Sequence, residues 1–136
     1  MKNNSTSKTG LFLMELMMAI LFFCLAAAVC VQMFIKGHIL SDRSVSLNHA
    51  VVYCESMAET FYSCDGNLQE MKDFLEGTTT IEDRIINWIP DDSFKITGTL
   101  SEDDGLLNLN ISCIQNSSDE EIYSLSVAYY PTEGER

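Results

Sequence analysis

The stretch LFLMELMMAILFFCLAAAVCVQMFI, residues 11–35, is unbroken apolar sequence apart from Glu15 and Gln32. At 1.5 Å per residue it gives about 37 Å of helix, enough to cross a hydrocarbon core with some tilt. No other feature of the chain narrows its fold so far. The sequence after it reads as an ordinary soluble domain, and a length of 136 residues leaves room for one of modest size.

Glu15 is the anomaly in this block. A carboxylate near the middle of a membrane helix costs a few kcal/mol on insertion scales, so an acid in such a place implies a partner. An uncleaved anchor gives Glu15 only a local polar contact. A secretory signal peptide would use Lys2 and Lys8 as its charged start and Ala26-Ala27-Ala28 as its cleavage site. That reading suffers because apolar sequence continues through Val29, Val31, Met33 and Phe34. In a third reading the chain is cut between Gly10 and Leu11. The new α-ammonium and the Glu15 carboxylate then lie near one helix end, where the macrodipole favours negative charge. A buried charge left alone is strongly unfavourable, whereas a paired one is tolerated. If the ammonium of one chain meets the carboxylate of the next, each copy carries both halves of the contact. Such a head-to-tail interface does not close, and it builds a filament.

The stretch KTG-LFLMELMMAI resembles the N-terminal signature of the type IV pilin and type II secretion pseudopilin family. The resemblance covers about thirty residues, from Lys8 to the end of the apolar block. It implies a leader of residues 1–10, a transmembrane and filament-core helix of residues 11–36, and an external domain of residues 37–136. It further implies cleavage by a prepilin peptidase between Gly10 and Leu11, N-methylation of Leu11, and a role for Glu15 in filament assembly. The implied partners are that peptidase, other pilin-like subunits, the cytoplasmic membrane and an assembly platform. The leader is then cytoplasmic and the C-terminal domain outside; Lys36 and Arg43 beyond the block make charge alone a weak guide to orientation. The sequence departs from the family pattern at Thr9, Leu11 and Phe12. Gln32 stands where major shaft pilins often have proline, which favours a minor subunit.

Periodicity predicts the rest of the fold. Leu40, Leu47, Val51, Cys54, Ala58 and Phe61 form a stripe at helical spacing on a helix running to about residue 64, where Gly66 in CDGN stops it. A short helix is expected over Leu68 to Leu75. The stretch TTTIEDRIINWIPDDS is ambiguous, since its β-branched start argues for a strand while Ile81, Ile85, Trp88 and Ile89 have helical spacing. Three alternating segments follow, SFKITGTL, LLNLNISCI and IYSLSVAYY, separated by the turns EDDG and QNSSDEE. The expected fold class is α+β: a long N-terminal helix packed on a three-stranded antiparallel meander, similar to the pilin family. Residues 1–9 are polar and are expected to be disordered.

Charge and composition exclude several functions. The chain carries 20 acids against 8 bases, and from Gly37 onward 19 acids face 5 bases, a balance of −14 that repels nucleic-acid phosphates. The clusters Asp91-Asp92, Glu102-Asp103-Asp104 and Asp119-Glu120-Glu121 fall in expected turns without the spacing of an EF-hand. His38 and Asp42 share a helix face but have no further ligand in the pattern. Cys24 and Cys30 lie in the apolar block. Of Cys54, Cys64 and Cys113, the pair Cys64–Cys113 is geometrically open to a disulfide, and reduced, buried thiols are the alternative. No catalytic constellation, metal motif or cofactor-binding loop is present. Two functions remain: a filament subunit without enzymatic activity, and a permanently anchored external domain that binds or senses.

Overall fold

The computed structural model describes residues 2–131, with side chains described from Ser7 onward. The elements in order are α1 (Lys2–Ser63), α2 (Leu68–Phe74), β1 (Thr78–Glu82), β2 (Ile85–Asp91), β3 (Phe94–Asp103), β4 (Leu106–Gln115) and β5 (Glu120–Tyr129). The chain divides into two compact units, Met1–Arg43 and Ser44–Arg136. The first is helix throughout its described length. It begins at Lys2 and not at the apolar block, which corrects the expectation of a disordered leader. No proline interrupts residues 2–63, and a single glycine in a helix interior costs only about 1 kcal/mol relative to alanine.

The second unit is α+β: the end of α1 packs on a five-stranded antiparallel sheet in the order β1-β2-β3-β4-β5. The three expected strands are β3, β4 and β5, and the ambiguous stretch supplies two more. The expectation of three strands is therefore corrected to five. Ile86 and Trp88 of β2 point into the core, opposite Ile81 and Thr79 of β1, while Ile85 and Ile89 lie on the exposed face. Isoleucines on both faces hide the two-residue alternation. The apparent helical spacing of Ile81, Ile85, Trp88 and Ile89 was a coincidence of composition.

The core is one cluster. From α1 it takes Ala50, Cys54, Met57, Ala58 and Phe61; from the sheet, Ile86, Trp88, Phe94, Ile96, Leu109, Ile111 and Cys113. Leu40 and Leu47 of the expected stripe are exposed, and Ala50 and Met57 take part instead. The stripe is thus narrower and shifted toward the helix end. Its course over the sheet is fixed by contacts. Tyr53 meets Trp88 edge-on at 5.7 Å between ring centres, Met57 lies over Gly98, and Phe61 meets Tyr129 at 6.3 Å. Gly98 is required there. A Cβ at this position would stand 2.8 Å from Ile86 Cγ2 and 3.2 Å from both Leu109 Cδ1 and Met57 Sδ.

Local chemistry ends each element. After Ser63 the chain turns through Asp65 and Gly66, both at positive φ, and Gly66 N–H donates to Phe61 O at 3.0 Å. Asn67 caps α2 by accepting from Gln69 N–H at 3.0 Å. Asp104 and Gly105, at φ 51° and 78°, form the two-residue turn between β3 and β4, matching the twist of the hairpin. The acidic clusters at 91–92, 102–104 and 119–121 do lie at turns or strand ends, as expected.

Candidate assembly site on the apolar helix

Gly10 and Leu11 are adjacent on α1 and Glu15 stands one turn further on, in a stretch where every side chain is exposed. Leu11 and Phe12 each keep about two thirds of their surface (66% and 64%), and so does Met14 at 67%. A Cβ added at Gly10 would meet nothing within 4 Å. This glycine is therefore not needed for packing. It leaves the backbone at the Gly10–Leu11 bond open to approach and is the residue in this stretch least favourable to helix.

Glu15 is exposed, and among the described residues it has no hydrogen-bond or ion-pair partner. One turn toward the N-terminus lie Leu11 and Phe12, and one turn toward the C-terminus Met18 and Ala19. The carboxylate thus stands among apolar side chains with no cation on the neighbouring turns. The helix holding it is long and apolar enough to cross a membrane, and the described residues of its most apolar stretch are exposed.

Other polar groups noted in the sequence are placed differently. His38 Nδ1 and Asp42 Oδ2 are 3.2 Å apart as an exposed i, i+4 pair. Among the described residues no group of three or more His, Cys, Asp or Glu side chains could hold a metal ion. Sequence reasoning missed a second arrangement, in which Tyr53 Oη donates to Asp91 Oδ2 at 2.7 Å. Asp91 Oδ1 accepts from the N–H groups of Ser93 and Phe94, and His49 stacks near both Tyr53 and Phe94. Burial works to raise the Asp91 carboxyl, but the Tyr53 hydroxyl and the two backbone N–H groups outweigh it and hold it below its usual value. The Tyr53 hydroxyl is pushed up by the same bond and by partial burial. The cluster ties the β2–β3 turn to α1, a structural task. The signal available in advance was the pair Asp91-Asp92 directly before Ser93, an Asx-turn pattern.

The cysteines of the domain are all reduced, so the sequence's Cys64–Cys113 pairing is not formed. Cys54 and Cys113 are both buried in the core as free thiols. Comparison of the chain with models of protein families, with curated proteins and with solved structures finds no match.

Proposed function

We propose that this chain is a structural subunit of a type IV pilus-like or pseudopilus filament, of the kind that serves type IV pili, DNA uptake or type II secretion. It is made as a prepilin, inserted with the leader in the cytoplasm and the acidic domain outside, and cut after Gly10. The observation that carries the reading is Glu15: a carboxylate on the apolar helix, without a partner among the described residues, one turn beyond Leu11. Cutting at Gly10 would create an ammonium on that helix and convert an isolated charge into half of a pair. It would also place Glu15 by the free N–H groups of a new helix end.

The remaining residues have consistent roles in this reading. Gly10 is where the helix opens most cheaply, and a protease needs the bond unwound. The exposed apolar surface of residues 11–35 is matched by copies of itself once the subunit leaves the lipid. Packing of these helices supplies most of the association energy, and the Glu15 pair fixes register. The acidic domain faces outward and keeps the polymer soluble.

Mass analysis of the N-terminal peptide from the membrane fraction tests the processing. Produced together with an active prepilin peptidase, the protein should begin at Leu11 and carry one added methyl group. Retention of residues 1–10 under those conditions would overturn the proposal and favour the uncleaved, anchored domain.

A further inference from the structure

We propose that a cleft of about 440 Å³ on the domain binds a small organic cation, an alkylammonium compound whose charged head sits among Tyr53, Phe74 and Trp88 beside the Glu76 carboxylate. Three parts of the fold enclose it: α1, the end of α2 with the segment leading to β1, and β2. A volume of that order lies in the range of small-molecule sites. Trp88 and Leu75, 4% and 6% exposed, form its floor. Val52 and Phe74, 53% and 69% exposed, stand at its rim. The Tyr53 and Trp88 rings meet at 87° with 5.7 Å between centres, and so make an aromatic corner. Phe74 adds a third aromatic wall. Aromatic faces attract cations through the ring quadrupole, tryptophan most of all, and such cages are a known way to hold quaternary ammonium groups.

The polar groups decide the sign of the ligand. Trp88 Nε1–H donates to Glu76 O at 2.7 Å, and the Tyr53 hydroxyl donates to Asp91 Oδ2 at 2.7 Å, so both aromatic donors are spent within the protein. The Tyr53 oxygen is left as an acceptor, and the Ser56 hydroxyl can play either role. Among the described residues the Glu76 carboxylate has no hydrogen-bond or ion-pair partner. No lysine, arginine or histidine lines the cleft. The surroundings are negative too. Glu55 and Glu59 follow Val52 and Ser56 by one turn of α1, Asp73 precedes Phe74, and Asp91 follows Pro90. Lys72 is two positions from Phe74 on α2, and so on the opposite side of that helix. An anion is therefore repelled, and a neutral ligand gains nothing from Glu76. A cation with an apolar body gains twice: its charge meets Glu76 and the rings, and its methyl groups meet Val52, Leu75 and Pro90.

Trp88 is the chain's single tryptophan, so its fluorescence reports on the cleft directly. Full-length protein in a non-ionic maltoside detergent, at about 0.15 M salt, is titrated with choline and separately with its uncharged carbon isostere, dimethylbutanol. Choline should give a saturable change in the Trp88 signal and a saturable heat in calorimetry. The isostere should bind at least about fivefold more weakly. Phe74→Ala and Glu76→Gln alter exposed side chains, so the urea transition should stay in place while choline binding weakens by about three- to tenfold. Glu102→Gln removes a charge about 20 Å along β3 from the row that holds Trp88, and should leave binding unchanged. No saturable response to choline in either measurement, equal binding of the isostere, or equal weakening by Glu102→Gln would overturn the assignment. Binding of acetyl-lysine methylamide without binding of choline would also overturn it, in favour of a protein partner. The cleft belongs to the domain alone and does not rest on the filament reading, so either can fail while the other stands.

Discussion

One helix carries two kinds of surface. Between Leu11 and Ile35 its apolar side chains are exposed on every side, whereas between Ala50 and Phe61 most of the apolar residues occupy one face, buried against the sheet, with Val52 left exposed. Exposed Glu55 and Glu59 lie on the other face. Apolar content alone therefore does not place a residue in the domain core. What matters is whether polar residues leave a single stripe that a sheet can cover. The uniform surface has no preferred inward face, and it suits an environment that is apolar all round.

Mutations should separate the two surfaces cleanly. Phe61→Ala, at a site with 0% exposure, should cost the domain about 3–5 kcal/mol in urea unfolding. Phe23→Ala, at 75% exposure, should change the same transition by less than about 0.5 kcal/mol. Equal effects would dissolve the distinction. Gly98→Val forces a side chain against Ile86, Leu109 and Met57, and should destabilise by about 1–3 kcal/mol.

The Tyr53–Asp91 bond provides a smaller, pH-dependent test. The folded-state carboxyl lies below its unfolded value, so its contribution is present above that value and is lost as pH falls through the folded one. Asp91→Asn should therefore cost about 1 kcal/mol at pH 7, with the gap to wild type closing below about pH 4. A gap that persists into acid would remove the carboxylate from the account. Least of all, Thr79→Val should be neutral or stabilising by up to about 1 kcal/mol, because the buried Thr79 Oγ1 has no hydrogen-bond partner among the described residues.

Strong periodicity made much of this fold legible. The long helix, the Gly66 stop, α2 and the strands β3 to β5 follow from spacing and turn residues. The β1–β2 hairpin did not, because Ile85 and Ile89 on its outer face erase the contrast that marks a strand. The exact stripe of α1 was also obscured, since Leu40 and Leu47 continue the helical pattern past the point where the sheet covers it. At the candidate site, Gly10, Leu11 and Glu15 were visible as residues, and the structure adds their exposure and, among the described residues, the lack of a partner for Glu15. That Cys54 and Cys113 share one core could not be read in advance, because it depends on which strands lie beneath the helix.

Glu15→Ala, compared with wild type for both membrane insertion and recovery in sheared filaments, probes the pairing most directly. If the proposed filament forms, insertion should be unchanged and incorporation sharply reduced, because the substitution removes the carboxylate proposed to meet the neighbouring subunit's N-terminal ammonium. Filaments containing the alanine variant at wild-type levels would contradict the account.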